Sequence, residues 1–481
     1  MEQLKPYQTE TYFDEMFTSE GKVKPHYRTL HDTIRSFDRE ELKLKHEQAQ
    51  ASFLRQGITF TLYQDNLSTE RTMPFDFIPI IISSEDWVEI EQGIEQRIKG
   101  LNAFLEDIYG EERILKEGII PEYLIKENPY YIEHLKGFPF PLTNHIFLAG
   151  IDLIRDDRGE YRVLEDNLRN PSGLSYMYQN RFVMRHVYPE FFKEHTLYKI
   201  EQQLDPLRQT LMDYSSRKKS AVAVLLTPGV FNSAYYDHVF LAQQMGIQLV
   251  EGSDLVVKGE SVYMRTIHGL RQVDVIYRRI DDDYLDPEQF RSDSLLGVKG
   301  LYRAASAGNV AIVNAMGNGV ADDKALYAFV PDIIRYYLNE EPILKNVDTY
   351  SLRKPSMRKW VLERLDQLVI KNVGSSGGYD MLIGPHSTRE KLNLFREKII
   401  ENPKQYIAQP TIKLSRAPAF QDNQFYPCHV DLRVYAMSGK KVRVIPGGLS
   451  RVALKKGSLV VNSSQGGGGK DTWVLKKGER V

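Results

Sequence analysis

Cysteine is nearly absent from this 481-residue chain, where Cys428 stands alone. One thiol has no partner within the chain, which excludes a disulfide framework and a cysteine-based zinc site. Long apolar runs are missing too, and none approaches the roughly 20 residues that span a bilayer. Net charge is only −1, from 63 basic and 64 acidic residues, so neither nucleic acid nor an anionic membrane is expected as a partner. The 11 histidines show no metal-ligand spacing. Met1 to Pro6 has no apolar core of a signal peptide, so a cytoplasmic location is expected. What is present, 42% hydrophobic and 26% charged residues, suits a globular protein with a large core and two to four domains.

No long internal repeat is visible, and the one low-complexity stretch is Gly466 to Gly469. Four units are expected: an N-terminal extension over 1–75, then 76–215, 216–325 and 326–481. A helix is predicted over Arg35 to Arg55, a strand over Pro74 to Ile82, and a helix from Ser84 to about Tyr109, closed by Gly110. His145 to Arg155 and Tyr161 to Asn167 read as a hairpin about Asp156-Asp157-Arg158-Gly159. Residues 220–320 alternate short apolar strands with helices, which argues for a mostly parallel sheet. Ligands of such sheets sit at strand carboxyl ends, which here carry Arg278, Arg279 and Asn314.

The hairpin holds the most informative residues, Glu165-Asp166-Asn167-Leu168-Arg169-Asn170-Pro171-Ser172-Gly173. Strand side chains alternate, so Glu165 and Asn167 share a face with Tyr161 and Val163. A turn centred on Arg158-Gly159 puts Asp152 across from Glu165; a bulge at Gly159 shifts that register by one. Two carboxylates and an amide form an all-oxygen set that suits Mg²⁺ beside phosphate. The same spacing also fits a solvated acidic hairpin. The turn at Ser172 is placed to offer backbone N–H groups to a ligand.

Lys371 ends an apolar strand and precedes Gly374-Ser375-Ser376-Gly377-Gly378. A lysine there calls for an anion, and the glycines let backbone N–H groups approach phosphate. An ordinary turn with an extended lysine is the plainer alternative. The lysine precedes the glycines, so this is not a Walker A sequence. Gly374, Ser376 and Gly378 also match a serine-nucleophile pattern, but a strand, not the required helix, follows. Asp431 and Arg433 share a strand face, with Arg443 and Arg451 beyond. Such arginines either converge on an anion or form cross-strand ion pairs. Asp322 and Asp323 read as helix caps, and Lys324 beside them suits an anion.

Together these residues resemble the ATP-grasp enzymes. Asp431-Leu432-Arg433-Val434 and Glu165-Asp166-Asn167 match that family's motifs, but the metal strands precede the lysine strand. That order is similar to the circularly permuted group of glutathionylspermidine synthetase. The resemblance implies α/β architecture: α+β ATP-grasp lobes with a Rossmann-like substrate domain over 216–325, Mg²⁺ ligands within 76–215 and the lysine lobe within 326–481. It implies Mg²⁺ on Asp152, Glu165 and Asn167, and ATP phosphates on Lys324, Lys371 and the loop Gly374, Ser375, Ser376, Gly377 and Gly378. It puts Gln409 beside adenine. Arg433 or Arg443 would stabilise an acyl phosphate, and Arg278, Arg279 and Ser172 would meet substrate. The implied activity is ATP-dependent joining of a small-molecule or peptide carboxylate to an amine. The rival readings are a nucleotide-binding scaffold and a hydrolase at Ser376. Two departures stand out: Gly150 replaces an arginine expected two residues before Asp152, and no Cys/His amidase domain is present.

Overall fold

A computed structural model describes residues 11–64, 67–217, 219–374, 380–454, 461 and 467–478, with side chains outside 60–70. Its central sheet has nine strands. In order they are Lys345–Asn346, Tyr161–Asn167, Leu148–Arg155, Gln424–Ser438, Leu449–Val452, Gly468–Val474 and Phe75–Ile82; Arg416–Gln421 and Val442–Val444 also pair with Gln424–Ser438. The pairing of Gly468–Val474 with Phe75–Ile82 is parallel. A buried ion pair between Lys470 and Asp76 lies across it, and Lys470 Nζ also donates to the carbonyls of Ile78 (3.1 Å) and Pro418 (2.8 Å). Residues 11–58 pack against this edge, with Met16, Phe17, Tyr27, Leu30 and Phe53 buried beside Phe75 and Phe77.

The helix Ser84–Ile108 covers one face of the sheet. It starts where Ser83 Oγ accepts from Asp86 N at 3.1 Å, with Glu85 and Asp86 favouring the positive helix end. Ile90, Ile94, Ile98, Leu101, Leu105 and Ile108 recur at helical spacing and are buried. The helix predicted over 35–55 is instead two, Arg28–Ser36 and Arg39–Arg55. Asp38 caps the second by accepting from Glu41 N, so the chain breaks at 37–38.

A second sheet is parallel, in the order Ala311–Val313, Val275–Arg278, Ala223–Leu226, Gln248–Val250. Asn314 fastens its carboxyl edge to the central hairpin. The amide accepts from Phe147 N (2.6 Å) and Leu148 N (2.9 Å) and donates to the Leu168 (2.6 Å) and Arg169 (2.9 Å) carbonyls. A third sheet, antiparallel, runs Tyr350–Ser351, Tyr406–Pro410, Leu368–Asn372, Met381–Ile383. It has its own core of Leu352, Val361, Ile370, Leu382, Phe395 and Ile399.

Candidate active site

The hairpin sets the site's register. Arg155 pairs with Tyr161 and Leu153 with Val163, yet Asp152 pairs with Glu165. The odd residue is Leu164, a bulge in the return strand. Asp152 thus stands across from Glu165 as expected, but the bulge rather than the turn puts it there. Beneath it, Asp166 takes both a 2.6 Å bond from Arg97 Nε and another of 2.6 Å from the same guanidinium, buried on the opposite face. That fork fixes the strand from behind.

Asp152 is the centre of a buried charge lattice. Strand register places Arg433 beside Asp152 and Arg451 beside Asp431. Arg433 grips Asp152 with two bonds, 2.6 Å to Oδ1 and 2.8 Å to Oδ2. Arg451 adds 2.8 Å to Asp152 Oδ2 and holds Asp431 at 2.8 and 2.6 Å. Burial pushes the Asp152 carboxyl upward, but Arg433 and Arg451 outweigh it and hold it at about 2. Burial prevails at Asp431, which is raised against the pull of Arg451. Arg433 therefore forms the cross-strand pair rather than standing free for an acyl phosphate. Arg443 is exposed and pairs with Met437, four residues along from Arg433, so it is not brought to the site.

Glu165 faces the antiparallel third sheet. Its Oε1 lies 2.8 Å from Lys324 Nζ. Burial raises this carboxyl, but Lys324 and then Lys371 draw it below its ordinary value. Lys371 pairs with Ile407, and Gln409 with Val369, which puts Lys371 and Gln409 on one face. Burial lowers the Lys371 ammonium, and Glu165 opposes that. Glu165, Asp322, Lys324, Tyr327, Lys371 and Gln409 line one cavity of about 10 Å³, room for a single water. Gln409 Nε2 donates to Thr349 Oγ1 at 2.9 Å. Gly374 is exposed, its N–H bonded to Asn372 Oδ1 at 3.0 Å. Ser375, Ser376, Gly377 and Gly378, and with them the hydrolase alternative, lie outside the described residues.

The oxygen set keeps lone pairs that a Mg²⁺ ion could use. Asn167 Nδ2 donates to the Gly150 carbonyl at 3.1 Å, which leaves its amide oxygen to accept. Asp152 Oδ2 takes two bonds and Oδ1 one, so Oδ1 keeps one position. Glu165 spends one oxygen on Lys324. Among the described residues no three His, Cys, Asp or Glu side chains gather to hold a metal. Two carboxylates and one amide, with these lone pairs left over, have the donor chemistry of a hard cation that keeps several waters.

Sequence reasoning places Arg278 and Arg279 in contact with substrate; in the structure both bond to protein oxygens. Arg278 is fully buried and donates to the carbonyls of Asn314 (2.8 Å), Ile280 (2.9 Å) and Ala315 (3.0 Å). Arg279 donates to the Pro171 carbonyl at 2.8 Å and Tyr277 Oη at 3.0 Å. Arg279 fastens the parallel sheet to the loop after Asn167, and Arg278 ties two of that sheet's carboxyl ends together. Ser172 contributes its carbonyl to Arg433 (3.3 Å) and Tyr435 Oη (2.9 Å). Gly150 also has a local reason. A Cβ there would stand 3.1 Å from Pro171 Cβ and 3.2 Å from Arg433 Cδ, so Arg433 lies where a side chain from position 150 would go.

Asp322 was read as a cap, but only Asp323 caps, accepting from Ala325 N (2.7 Å) and Leu326 N (3.1 Å). Asp322 turns to the hairpin and accepts from Leu168 N and, at 3.2 Å, Arg169 N. Burial raises its carboxyl to about 6 although Arg169 and these two N–H groups oppose it. Nothing local in the sequence separates two adjacent acids before a short helix.

An uncharacterized protein of Synechocystis sp. is 47% identical over 98% of this chain and 99% of its own length. An uncharacterized Mycobacterium tuberculosis protein is 47% identical over 96% of this chain and 84% of its own. A Frankia casuarinae protein, provisionally named glutamate–cysteine ligase 2-2, is 40% identical over 98% of this chain, which spans 55% of that relative. Among solved structures, a glutathione synthetase-like effector from Globodera pallida superposes with a TM-score of 0.57 at 12% identity, covering 91% of this chain and 98% of its own, which shows a shared fold. No helix among the described residues is long and apolar enough to cross a membrane. The model of the circularly permuted ATP-grasp type 2 family matches residues 79–453, and the chain belongs to that family.

Proposed function

We propose that this protein is an ATP-dependent ligase joining a carboxylate to an amine through an acyl phosphate. The observation that carries the proposal is the convergence of Glu165, Lys324, Lys371 and Gln409 on one cavity, although they come from the central hairpin, the segment after the parallel sheet and the third sheet. A nucleotide there would find two ammonium groups for its phosphates and an amide for its base. Lys371 is the stronger phosphate ligand, since burial leaves its charge costly until an anion arrives. Lys324 would exchange Glu165 for phosphate. Glu165 and Asn167, with the remaining position on Asp152, would hold Mg²⁺, whose chemistry is to neutralise charge on the transferring phosphoryl group. Asp152 also fixes Arg433 and Arg451, keeping the strand pair rigid.

The carboxylate oxygen attacks the γ-phosphorus and ADP leaves. The amine then attacks the acyl carbon, phosphate leaves and the amine loses a proton. No protein nucleophile is needed. The provisional name of the Frankia relative makes glutamate and cysteine the first pair to try. ADP release with Mg-ATP is measured for that pair and for a panel of other carboxylates and amines, in wild type and Glu165→Ala. Substrate-dependent ADP that disappears in the variant supports the ligase. No ADP from any pair favours the nucleotide-binding scaffold.

A further inference from the structure

Five arginines around the junction are already engaged. Arg97, Arg278, Arg279, Arg433 and Arg451 each donate at least one hydrogen bond of 2.8 Å or shorter to a protein oxygen. Arg169 differs. Among the described residues its guanidinium donates no hydrogen bond; its Nε is buried without one, as is that of Arg279, but Arg279 bonds through its other nitrogens. Its two ion pairs are long, 3.4 Å from Nη1 to Asp281 and 3.6 Å from Nε to Asp322. Asp281 is half exposed, so water screens that pair. Yet the Arg169 side chain is only 20% accessible. A guanidinium brings five donors in a planar fork, and leaving even one of them, here Nε, buried without a hydrogen bond is costly.

Its orientation is nevertheless fixed. The guanidinium carbon lies 4.4 Å from the centre of the Tyr130 ring. A Cβ at Gly319 would come within 3.3 Å of Arg169 Cδ, so the stem is packed as well. Asp322, which accepts from the Arg169 backbone N–H, also lines the cavity of Glu165, Lys324 and Lys371. Arg169 thus stands one side chain away from the proposed phosphate site, on the flank toward the parallel sheet.

The geometry points to Arg169 as the residue that binds the substrate carboxylate, its fork taking the two oxygens in place of its long pairs with Asp281 and Asp322. This rests on the ligase reading and supplies the grip that Arg278 and Arg279 do not. A carboxylate and a nucleotide phosphate offer the fork the same anionic oxygens. The experiment separates them.

Binding of malonate and of a nonhydrolysable ATP analogue with Mg²⁺ is measured by calorimetry on the full chain, for wild type, Arg169→Gln and Arg169→Lys. Arg169→Lys keeps the charge over Tyr130 and guards against a folding defect. The expected result is malonate affinity weakened about ten-fold or more in both variants, with the analogue bound as in wild type. Wild type that binds the analogue but not malonate overturns the inference, as does malonate affinity kept in Arg169→Gln. Loss of analogue binding in the variants, with malonate kept, makes Arg169 a phosphate ligand and also overturns it. If wild type binds neither, the ligase reading itself falls.

Discussion

Replacing Asp152 by asparagine separates two roles that one carboxylate holds here. Asparagine has the shape of the protonated acid, so the lower bound comes from the carboxyl's displacement. Holding it at about 2 against an ordinary 3.8 corresponds to about 2.4 kcal/mol near neutral pH. The upper range comes from what is left behind: two buried guanidinium groups stripped of an anion, a loss of about 3–5 kcal/mol. Unfolding entropy of about 2.1 cal/mol/K per residue over 481 residues is about 1 kcal/mol/K, so Tm should fall by about 2–5 °C. The assay is a thermal melt at pH 7 in EDTA, which removes any metal contribution. The folded carboxyl is depressed, so its stabilisation is present above 3.8 and is lost as pH falls toward 2. The gap between wild type and variant should therefore close on acidification. An Asp152→Asn protein that melts with or above wild type in EDTA, and loses only its response to Mg²⁺, would show that the arginine lattice does not depend on Asp152.

Three other outcomes follow from the same structure. Lys371→Met should leave the metal-free melt unchanged or raised, because burial already disfavours that charge, while weakening ATP-analogue affinity about ten-fold or more by calorimetry. Asp322 is raised to about 6, so its stabilisation is present below 3.8 and is lost as pH rises through about 6; Asp322→Asn should gain up to about 3 kcal/mol at pH 8 and nothing at pH 4 in paired melts. Gly150→Ala sets a methyl against Pro171 and Arg433 and should cost about 1–3 kcal/mol, read as a shifted denaturation midpoint; an unchanged midpoint would mean that Pro171 moves freely.

How much of this was visible in the residues depends on the range of each interaction. Glu165 opposite Asp152 was legible from the hairpin's turn, but the Leu164 bulge was not, and it moves Glu165 and Asn167 off the face of Tyr161 and Val163 that unbroken alternation predicts. Lys371 was legible as a charge at the end of an apolar strand. The fate of Arg433 was not. Asp431 and Arg433 share a face, but the partner of Arg433 is chosen by register with a strand 281 positions away, while that of Asp431 lies 20 positions on. Arg278 misled for a related reason: the Asn314 and Ala315 carbonyls that satisfy it arrive from the neighbouring strand's end. A polar residue at a strand's carboxyl edge looks the same whether a ligand or a remote loop completes it. Arg169 lies within the motif but nothing in the sequence marks it, because an unsatisfied donor is recognisable only after every nearby oxygen has been located.

The edge where Phe75–Ile82 meets Gly468–Val474 bears on how the protein is made. Lys470 and Asp76 are 394 positions apart, so at about 5–20 residues per second the early strand is synthesised tens of seconds before its partner. Through that interval the segment Phe-Asp-Phe-Ile-Pro-Ile-Ile-Ile has an unmatched backbone and three consecutive isoleucines. Residues 11–58 emerge before it and pack on that same edge, so they are available to shelter the strand until Gly468–Val474 arrives.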